Sequence, residues 1–320
     1  MKERPILSIV VPCYNEELVL PSTYNSFVRK TEELVNGGKI DGRSFVLFAD
    51  DGSSDSTWRI IKSLSQQSNL IRGISLSRNR GHQNALLAGL LEVSGMVDVA
   101  VSMDCDGQQD INAIDEMLAR YDEGFDVVYG VRKARDTDSF FKRNTALMFY
   151  KLMHVLGVEV VTNHADYRLL SSRVLDALRD YKEVNLFLRG LFPLIGFKSS
   201  IVYFDVTARA AGQSHYTVSR MLNFAIDGIT SLSIKPLRLI SCLGLMISAF
   251  AFLCMAYCLC VWLYGKVVPG WTSVAVVVSF MGGVQMLSLG IIGEYVGKTY
   301  LEVKRRPRFI VSERCGHESS

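Results

Sequence analysis

The sequence lacks the cysteine patterns of a metal-binding or disulfide-bonded domain. Its seven cysteines are an odd number, scattered along the chain, and no two of them form a C-x-x-C pair. Neither a zinc-type spacing nor a disulfide framework is present, and free cysteines are typical of a reducing compartment. These absences exclude a zinc-binding module and a disulfide-stapled secreted domain.

Strong net charge and nucleotide-binding glycine loops are absent as well. The formal net charge is only +3, which gives no global case for a nucleic-acid partner. No G-x-G-x-x-G follows a predicted strand, which disfavours a dinucleotide-dependent oxidoreductase. The apolar run before Pro12 is too short for a signal peptide, so we expect the front of the chain to stay in the cytosol.

Apolar residues are abundant, and they collect in the last third of the chain. Hydrophobic residues make up 49% of the 320 residues, and the mean hydropathy is +0.20. Leu239–Gly265 and Trp271–Gly293 contain no charged side chain. A span needs about 20 apolar residues, and one charge at its centre costs about 2.5–3.5 kcal/mol. The two runs therefore predict two transmembrane helices that form a hairpin.

Basic residues flank the outer ends of this predicted hairpin. Before it and after it stand Lys235, Arg238, Lys298, Lys304, Arg305, Arg306 and Arg308. Only Lys266 lies in the turn between the two runs. The excess of positive charge on cytoplasmic loops then predicts a multi-pass protein of the inner (plasma) membrane with both termini in the cytoplasm.

Two amphipathic segments precede the apolar runs. Residues 139–157 combine aromatic and aliphatic side chains with Lys142 and Arg143, as in a basic helix at a membrane surface, although an ordinary surface helix fits equally well. The resulting domain organisation is a cytoplasmic catalytic domain (1–212), an amphipathic juxtamembrane helix (213–237), two transmembrane helices (238–297, about 239–265 and 271–293) and a basic cytoplasmic tail (298–320). The tail after Val311 is predicted to be disordered.

The front of the chain alternates between strand-like and helix-like patterns. Short apolar, β-branched runs at 6–11, 44–49, 71–76, 97–103 and 126–130 alternate with helical patterns. Such alternation predicts an α/β fold with a mostly parallel sheet that is covered on both faces.

Paired acids follow the fourth of these strands, in the stretch VDVAVSMDCDGQQD. Asp104 and Asp106 are one residue apart, so an extended chain points both carboxylates the same way. Ligands bind at the carboxyl ends of strands in open α/β sheets. Two hard oxygen ligands suit Mg²⁺ or Mn²⁺, which completes its shell with water and phosphates. The stretch predicts a metal that holds a diphosphate, and a plain polar turn is the competing interpretation.

Nine segments occur in an order that resembles the family 2 glycosyltransferases, which have the GT-A fold. They are IVVPCYNEE, FADDGSSDST, LSRNRGHQNALLAGL, MDCDGQQD, VVYGVRK, ADYRLLSSRVL, RGLF, RAAGQSHY and LGIIGEYVGKTYLEVKRRPRFIV. The chain is most similar to the polyprenyl-phosphate glycosyltransferases, which include dolichol-phosphate mannose synthases and the bactoprenol glucosyltransferases of O-antigen modification. The resemblance implies a GT-A (Rossmann-like) catalytic domain and inverting, metal-dependent transfer of a hexose from a nucleotide-sugar to a polyprenyl phosphate lipid. It favours UDP-glucose as donor, undecaprenyl phosphate as acceptor, and a homo-oligomer, a tetramer in relatives.

The resemblance also assigns roles to individual residues. The catalytic set is Asp104, Asp106, Asp166 and Arg209, with Asp104 and Asp106 as the metal ligands. The set that binds the sugar nucleotide is Pro12, Tyr14, Glu16, Asp51, Arg78, Asp104, Gln108 and Ser214. The set that binds the acceptor phosphate is Arg132, Arg143 and Arg168, although solvated loop and helix charges fit Arg132 and Arg143 equally well. Because a phosphate monoester with a second pKa of about 6 is already anionic at neutral pH, Asp166 is expected to position or stabilise rather than act as an obligatory base.

Two residues depart from the family pattern, and other functions stay open. Gly107 replaces a bulky apolar residue, and His215 replaces the lysine that usually follows Ser214, which predicts a weaker or pH-dependent phosphate contact. Other donors that fit are UDP-N-acetylglucosamine, UDP-galactose, GDP-mannose and a modified arabinose. A non-catalytic membrane scaffold is the alternative of a different class. A processive polysaccharide synthase is disfavoured because no Gln-x-x-Arg-Trp is present.

Overall fold

The structure is a computed structural model that describes residues 4–133, 156, 164–185, 187–205, 229–231, 233–263 and 270–316. Its strands are β1 (Leu7–Cys13), β2 (Phe45–Asp50), β3 (Ile71–Leu76), β4 (Val99–Ser102), β5 (Val127–Arg132), β6 (His164–Ser171), β7 (Ser199–Phe204) and β8 (Val311–Cys315). Its helices are α1 (Leu20–Asn36), α2 (Thr57–Gln67), α3 (His82–Val93), α4 (Ala113–Asp122), α5 (Ser172–Asp180), α6 (Leu188–Ile195), α7 (Lys235–Leu263) and α8 (Trp271–Val303).

The strands form one sheet in the order β7-β5-β6-β4-β1-β2-β3-β8. The central strands β4, β1, β2 and β3 run parallel, and β5 is parallel to β7. The strand β6 is antiparallel to both of its neighbours, and β8 is antiparallel to β3. The predicted α/β class with a mostly parallel sheet is confirmed.

The core lies on both faces of this sheet. Along β1, Leu7, Ile9 and Val11 belong to one apolar cluster, and Val10 belongs to the other. Successive side chains of a strand point to opposite faces, so a strand that is buried on both faces is apolar throughout. The helices α1, α2 and α4 supply the first cluster, and α3, α5 and α6 supply the second.

The strand β1 continues through Pro12 to Cys13, where the prediction ended it at Val11. The carbonyl of Val10 accepts the N–H of Met103, and β4 itself ends at Ser102. The nitrogen of Pro12 faces this same side, just beyond the end of β4. Its missing N–H therefore interrupts no ladder hydrogen bond, and the strand tolerates the proline.

The C-terminal residues return to the catalytic sheet. The strand β8 pairs antiparallel with β3, and Glu313 accepts hydrogen bonds from Trp58 Nε1 and Lys62 Nζ, both at 3.0 Å. Arg314 forms a two-pronged ion pair with Glu92 at 2.7 and 3.0 Å. The prediction of disorder after Val311 is therefore wrong for residues 312–315.

Two long helices occupy the apolar third of the chain. Within the described ranges, one helical stretch, Lys235–Leu253 in α7, is long and apolar enough to cross a membrane, and no residue of its most apolar part is buried. The helix α8 continues to Val303, ten residues beyond the second charge-free run. Of the predicted amphipathic segment 139–157, the structure describes only residue 156. Of the predicted segment 213–237, it describes residues 229–231 and 233–237.

A close approach between α3 and the sheet yields a prediction about stability. A Cβ on Gly89 would lie 2.5 Å from Val10 Cγ1 and 3.3 Å from Ala49 Cβ. Gly89→Ala gains about 1 kcal/mol of helix propensity, but overpacking of a buried contact costs about 1–3 kcal/mol. We expect a lower unfolding temperature for the purified full-length chain. Gly42→Ala, where nothing lies within 4 Å of the added atom, is the matched control, and equal effects of the two changes would contradict the packing argument.

Candidate active site

Polar side chains meet at the carboxyl ends of β1, β2 and β4. The register of β6 brings a further acid to this edge. Ser102 of β4 lies opposite Arg168 of β6, and because the two strands are antiparallel, Asp166 falls opposite Asp104 just beyond the end of β4. The hydroxyl of Ser102 donates to the Asp166 carbonyl at 2.9 Å, which holds this end of β6 in place.

The loop after β4 holds the two paired acids in a defined geometry. Asp104 is held by Gln109, whose Nε2 donates to Asp104 Oδ2 at 2.7 Å and whose Oε1 accepts the Asp104 N–H at 3.0 Å. Asp106 Oδ1 accepts the N–H of Gln108 at 3.1 Å. Gly107 has a φ of 69°, a left-handed conformation that a bulky residue adopts only with strain. The glycine at this position therefore suits the turn that presents both acids.

Asp166 is held between two arginines. Arg168 Nη2 lies 2.6 Å from Asp166 Oδ1, and Arg189 Nη2 lies 3.1 Å from Asp166 Oδ2. Arg168 is fully buried and covers the ring of Phe192, with 4.6 Å between its guanidinium carbon and the ring centre. Burial alone would raise the pKa of Asp166, but the two arginines hold that pKa well below its usual range. Asp166 is thus an ionised carboxylate.

His82 stands between the two acidic positions. Its Nε2 lies 3.6 Å from Asp104 Oδ1 and 3.7 Å from Asp166 Oδ2, and its side chain is 44% exposed. The residue is the first of α3, directly after Gly81, whose φ of 88° turns the chain into the helix. The partly exposed imidazole therefore lies between two carboxylates.

The charge balance at Asp104 fits a bound cation. Burial raises the pKa of Asp104, the neighbouring acids Asp166 and Asp106 raise it further, and His82 and Arg132 offset part of this effect. A divalent cation would relieve the same repulsion. Over the described residues, no three histidine, cysteine or acidic side chains are arranged to hold one metal ion together, but Mg²⁺ or Mn²⁺ commonly uses only one or two carboxylates and takes the rest from water and phosphates. The oxygen donors of Asp104 and Asp106 fit such an ion.

The end of β1 provides an exposed aromatic surface beside these acids. Tyr14 is 46% exposed, whereas Pro12 is buried within the strand and Glu16 is partly buried. Asn15 has a φ of 53°, and its N–H donates to Ser53 Oγ at 2.9 Å. This bond ties the turn after β1 to the turn after β2.

Asp51 organises the loop that precedes α3. Its carboxylate accepts the N–H groups of Arg80 at 2.7 Å and Gly81 at 2.8 Å. The side chain is buried, and burial raises its pKa while these two bonds lower it. Gly52 has a φ of 64°, and a Cβ on it would come within 2.7 Å of the Arg78 backbone. Asp51 thus holds the loop of residues 78–81 in place. Arg78 of this loop is exposed to solvent.

The structure places the predicted residues unequally. Asp104, Asp106, Asp166 and Arg132 come together, but Arg168, predicted to bind the acceptor phosphate, is fully buried behind Asp166. In this position the guanidinium supports Asp166, and the acceptor role of Arg168 stays a prediction. Other predicted residues lie outside the described part of the chain: Arg143, Arg209, Ser214 and His215.

Three residues of the site had no predicted role. They are His82, Gln109 and Arg189. His82 and Arg189 occur within two of the segments that carry the family resemblance, GHQ and RGLF, and Gln109 follows the predicted Gln108. Their presence in those segments was the available signal, because nothing in local spacing brings α3, β6 and α6 together.

The charge cluster leads to a prediction about stability and pH. Asp166→Asn leaves the buried Arg168 without its carboxylate, and breaking a buried ion pair in this way costs about 3–5 kcal/mol. Because the folded-state pKa of Asp166 is lowered, its contribution is complete above the unfolded value of about 3.9 and is lost as pH falls through the lower folded value. The difference in unfolding free energy between the wild type and Asp166→Asn should therefore stay constant above about pH 5 and become smaller at lower pH.

Asp205→Asn is the matched control for this measurement. Asp205 pairs with Lys133 at 2.8 Å, but the two side chains are 70% and 55% exposed. An exposed pair contributes about 0–1 kcal/mol. Denaturant unfolding of the purified chain should therefore separate the two variants, and an Asp166→Asn loss as small as that of the control would contradict the buried-cluster interpretation.

Known proteins are similar to this chain over nearly its full length. The profile described as "Glycosyl transferase family 2" matches residues 8–179. The chain is 43% identical over 310 residues to the "Uncharacterized glycosyltransferase YkoT" of Bacillus subtilis, covering 97% of this chain and 92% of that protein. It is 36% identical over 310 residues to the "Bactoprenol glucosyl transferase" of Shigella phage SfX, covering 96% and 99%.

Among solved structures, a similarity is found to glucosyl-3-phosphoglycerate synthase from Mycobacterium tuberculosis in complex with Mn²⁺, UDP-glucose and phosphoglyceric acid. The identity is 17%, the TM-score is 0.43, and the match covers 71% of this chain and 78% of that one. The family profile spans the loop that carries Asp104 and the strand that carries Asp166, and the relatives span nearly the full length. The chain belongs to glycosyltransferase family 2, is an enzyme of that family, and has its GT-A-like α/β fold.

Proposed function

We propose that this glycosyltransferase moves glucose from UDP-glucose to undecaprenyl phosphate, with inversion at the anomeric carbon, to give a lipid-linked sugar for modification of a surface glycan. The observation that carries the proposal is the meeting of Asp104, Asp106, Asp166 and Arg189 in one cluster just beyond the end of β4. The relatives named bactoprenol glucosyl transferases, which match 95% and 96% of the chain, support this sugar and this acceptor.

On the donor side, Asp104 and Asp106 would hold Mg²⁺ or Mn²⁺. When bound, the ion supplies Lewis-acid stabilisation of the leaving diphosphate. Tyr14 offers an exposed ring for the base, and Arg78 offers a cation for the diphosphate. Asp51 acts mainly by fixing the loop that carries Arg78. We assign Pro12, Glu16 and Gln108 to the walls of the nucleotide site.

On the acceptor side, Arg189 and His82 flank the carboxylate of Asp166. Their side chains are 27% and 44% exposed. These two groups and Arg132 can hold an anionic phosphate, because charge-assisted hydrogen bonds to phosphate oxygens are strong. The buried Arg168 keeps Asp166 ionised and in place. A phosphate that is already anionic at neutral pH can attack the anomeric carbon directly in a single displacement, so no side chain has to remove a proton from it. The role that we assign to Asp166 is to orient Arg189.

The acceptor is a lipid, and the apolar third of the chain supports that choice. We propose that α7 and α8 cross the membrane as a hairpin, with the catalytic domain, the basic flanks and both termini on the cytoplasmic side. Segments 139–157 and 213–237 then lie at the membrane surface, where cations attract an anionic headgroup. Arg143, Arg209 and Ser214 keep their predicted roles at the lipid phosphate and diphosphate. We further propose a homotetramer, by the family resemblance.

The first functional prediction concerns the paired acids. Asp104→Asn and Asp106→Asn should each lower sugar transfer by about a hundredfold, the cost of losing one stabiliser of developing charge. Transfer of radiolabelled glucose from UDP-glucose to undecaprenyl phosphate in membranes measures this. A chelator should abolish the wild-type activity, and added Mg²⁺ or Mn²⁺ should restore it.

Glu116→Gln is the control, because Glu116 lies on the exposed surface of α4, where it is 3.7 Å from Arg120 one turn later. It should retain wild-type transfer. Full activity in both aspartate variants would contradict the metal assignment. A panel of other sugar nucleotides identifies the donor, and the absence of transfer from every donor would favour the non-catalytic scaffold.

The second functional prediction concerns Arg143. Because this residue stands in the basic amphipathic segment, Arg143→Ala should raise the apparent KM for the lipid phosphate more than the KM for the nucleotide-sugar. Initial rates with each substrate varied in turn measure the two constants. Equal effects on both constants would remove the acceptor role of Arg143.

A further inference from the structure

A carboxylate near the end of α8 holds a loop of the catalytic domain. Glu302 Oε2 accepts the N–H of Val184 at 2.9 Å, and its Oε1 accepts the N–H of Asn185 at 2.8 Å and Asn185 Nδ2 at 2.9 Å. Asn185 Nδ2 also contacts the Lys298 carbonyl, one turn earlier in α8, at 3.3 Å. One carboxylate thus satisfies three donors of a loop that lies more than 110 residues away in sequence.

The held loop leads directly into α6, which carries Arg189 as its second residue. The first residue of this helix, Leu188, donates its N–H to Gln83 Oε1 at 2.8 Å, and Gln83 is the neighbour of His82 in α3. Arg189 then reaches Asp166 through Nη2 and Nε at 3.1 and 3.3 Å. The start of α6 is therefore fixed on one side by α3 and on the other by α8.

We propose that Glu302 is a positioning residue for the acceptor side of the active site. By holding Val184 and Asn185, it sets the start of α6 and so the contact of Arg189 with Asp166. The inference rests on the acceptor role proposed above for Arg189. It makes the apolar helix α8 a part of the acceptor site's geometry as well as an anchor.

The chemistry of the contact favours this role over simple attachment. Glu302 binds two main-chain N–H groups and one side-chain amide, and a carboxylate can accept hydrogen bonds from all three donors at once. In a glutamine at this position, the side-chain NH2 group would face one of these N–H donors and could not accept its hydrogen bond. The contact therefore requires the carboxylate of Glu302. A shift of about 1 Å in a group that binds substrate can cost about a hundredfold in rate, and only three residues separate Asn185 from Arg189.

Kinetics of the full-length chain in membranes provide the test. Glu302→Ala should raise the KM for undecaprenyl phosphate by about tenfold or more and leave the KM for the nucleotide-sugar unchanged. In an Arg189→Ala background, Glu302→Ala should add no further loss, because residues that act through one another are not additive. Additive losses, or equal changes in both KM values, would overturn the proposal.

Glu294→Gln is the matched control on the same helix. Glu294 is 46% exposed and lies 3.9 Å from Lys298, so its substitution should leave both KM values unchanged. A loss of acceptor affinity equal to that of Glu302→Ala would point to a general effect of charge on α8 and would overturn the specific role of Glu302.

Hydrogen–deuterium exchange separates this inference from the proposed function. Glu302→Ala should raise amide exchange over residues 184–189 and leave exchange over β1 and β2 unchanged. Wild-type exchange over 184–189 in the variant would overturn the positioning role whatever the enzyme transfers. Failure of the wild-type chain to glycosylate any polyprenyl phosphate would instead overturn the proposed function, and the exchange result would still decide whether Glu302 holds the start of α6.

Discussion

The ionised carboxylate of Asp166, held between Arg168 and Arg189, is the interaction on which the arrangement of the cleft depends. Three carboxylates come together here, and without cations their repulsion would favour protonation or separation. The buried Arg168 neutralises Asp166 from behind, and the more exposed Arg189 does so from the cleft side. Asp104 keeps a raised pKa by comparison, which leaves it as the acid that gains most from a bound cation.

Two carboxylates near the site each accept hydrogen bonds from backbone N–H groups of a different element. Asp51 after β2 holds the 80–81 amides ahead of α3, and Glu302 of α8 holds the 184–185 amides ahead of α6. The two helices so positioned present His82 and Arg189 to the same carboxylate. Loops that would otherwise move are fixed by charge-assisted bonds, so the site is organised before any substrate binds.

The sequence predicted those features that depend on local pattern. Apolar runs marked the central strands, and the spacing of Asp104 and Asp106 marked their shared direction, because both follow from the geometry of one extended segment. The meeting of His82, Asp166 and Arg189 depends on the antiparallel register of β6 and on two helices, α3 and α6, that are far apart in sequence, which no local spacing encodes. The strand β8 was missed because VSERC has little apolar alternation, and its pairing with β3 provides most of its order.

The edge position of β8 has a consequence for the order of biosynthesis. The strand β3 leaves the ribosome early, but its outer partner β8 follows α7 and α8 in the chain. Until then β3 offers an unpaired edge, and such edges are prone to pair with other chains. The outer edge of β3 can therefore be covered only after both long helices have been synthesised, so the catalytic sheet is completed late although most of its strands come early in the chain.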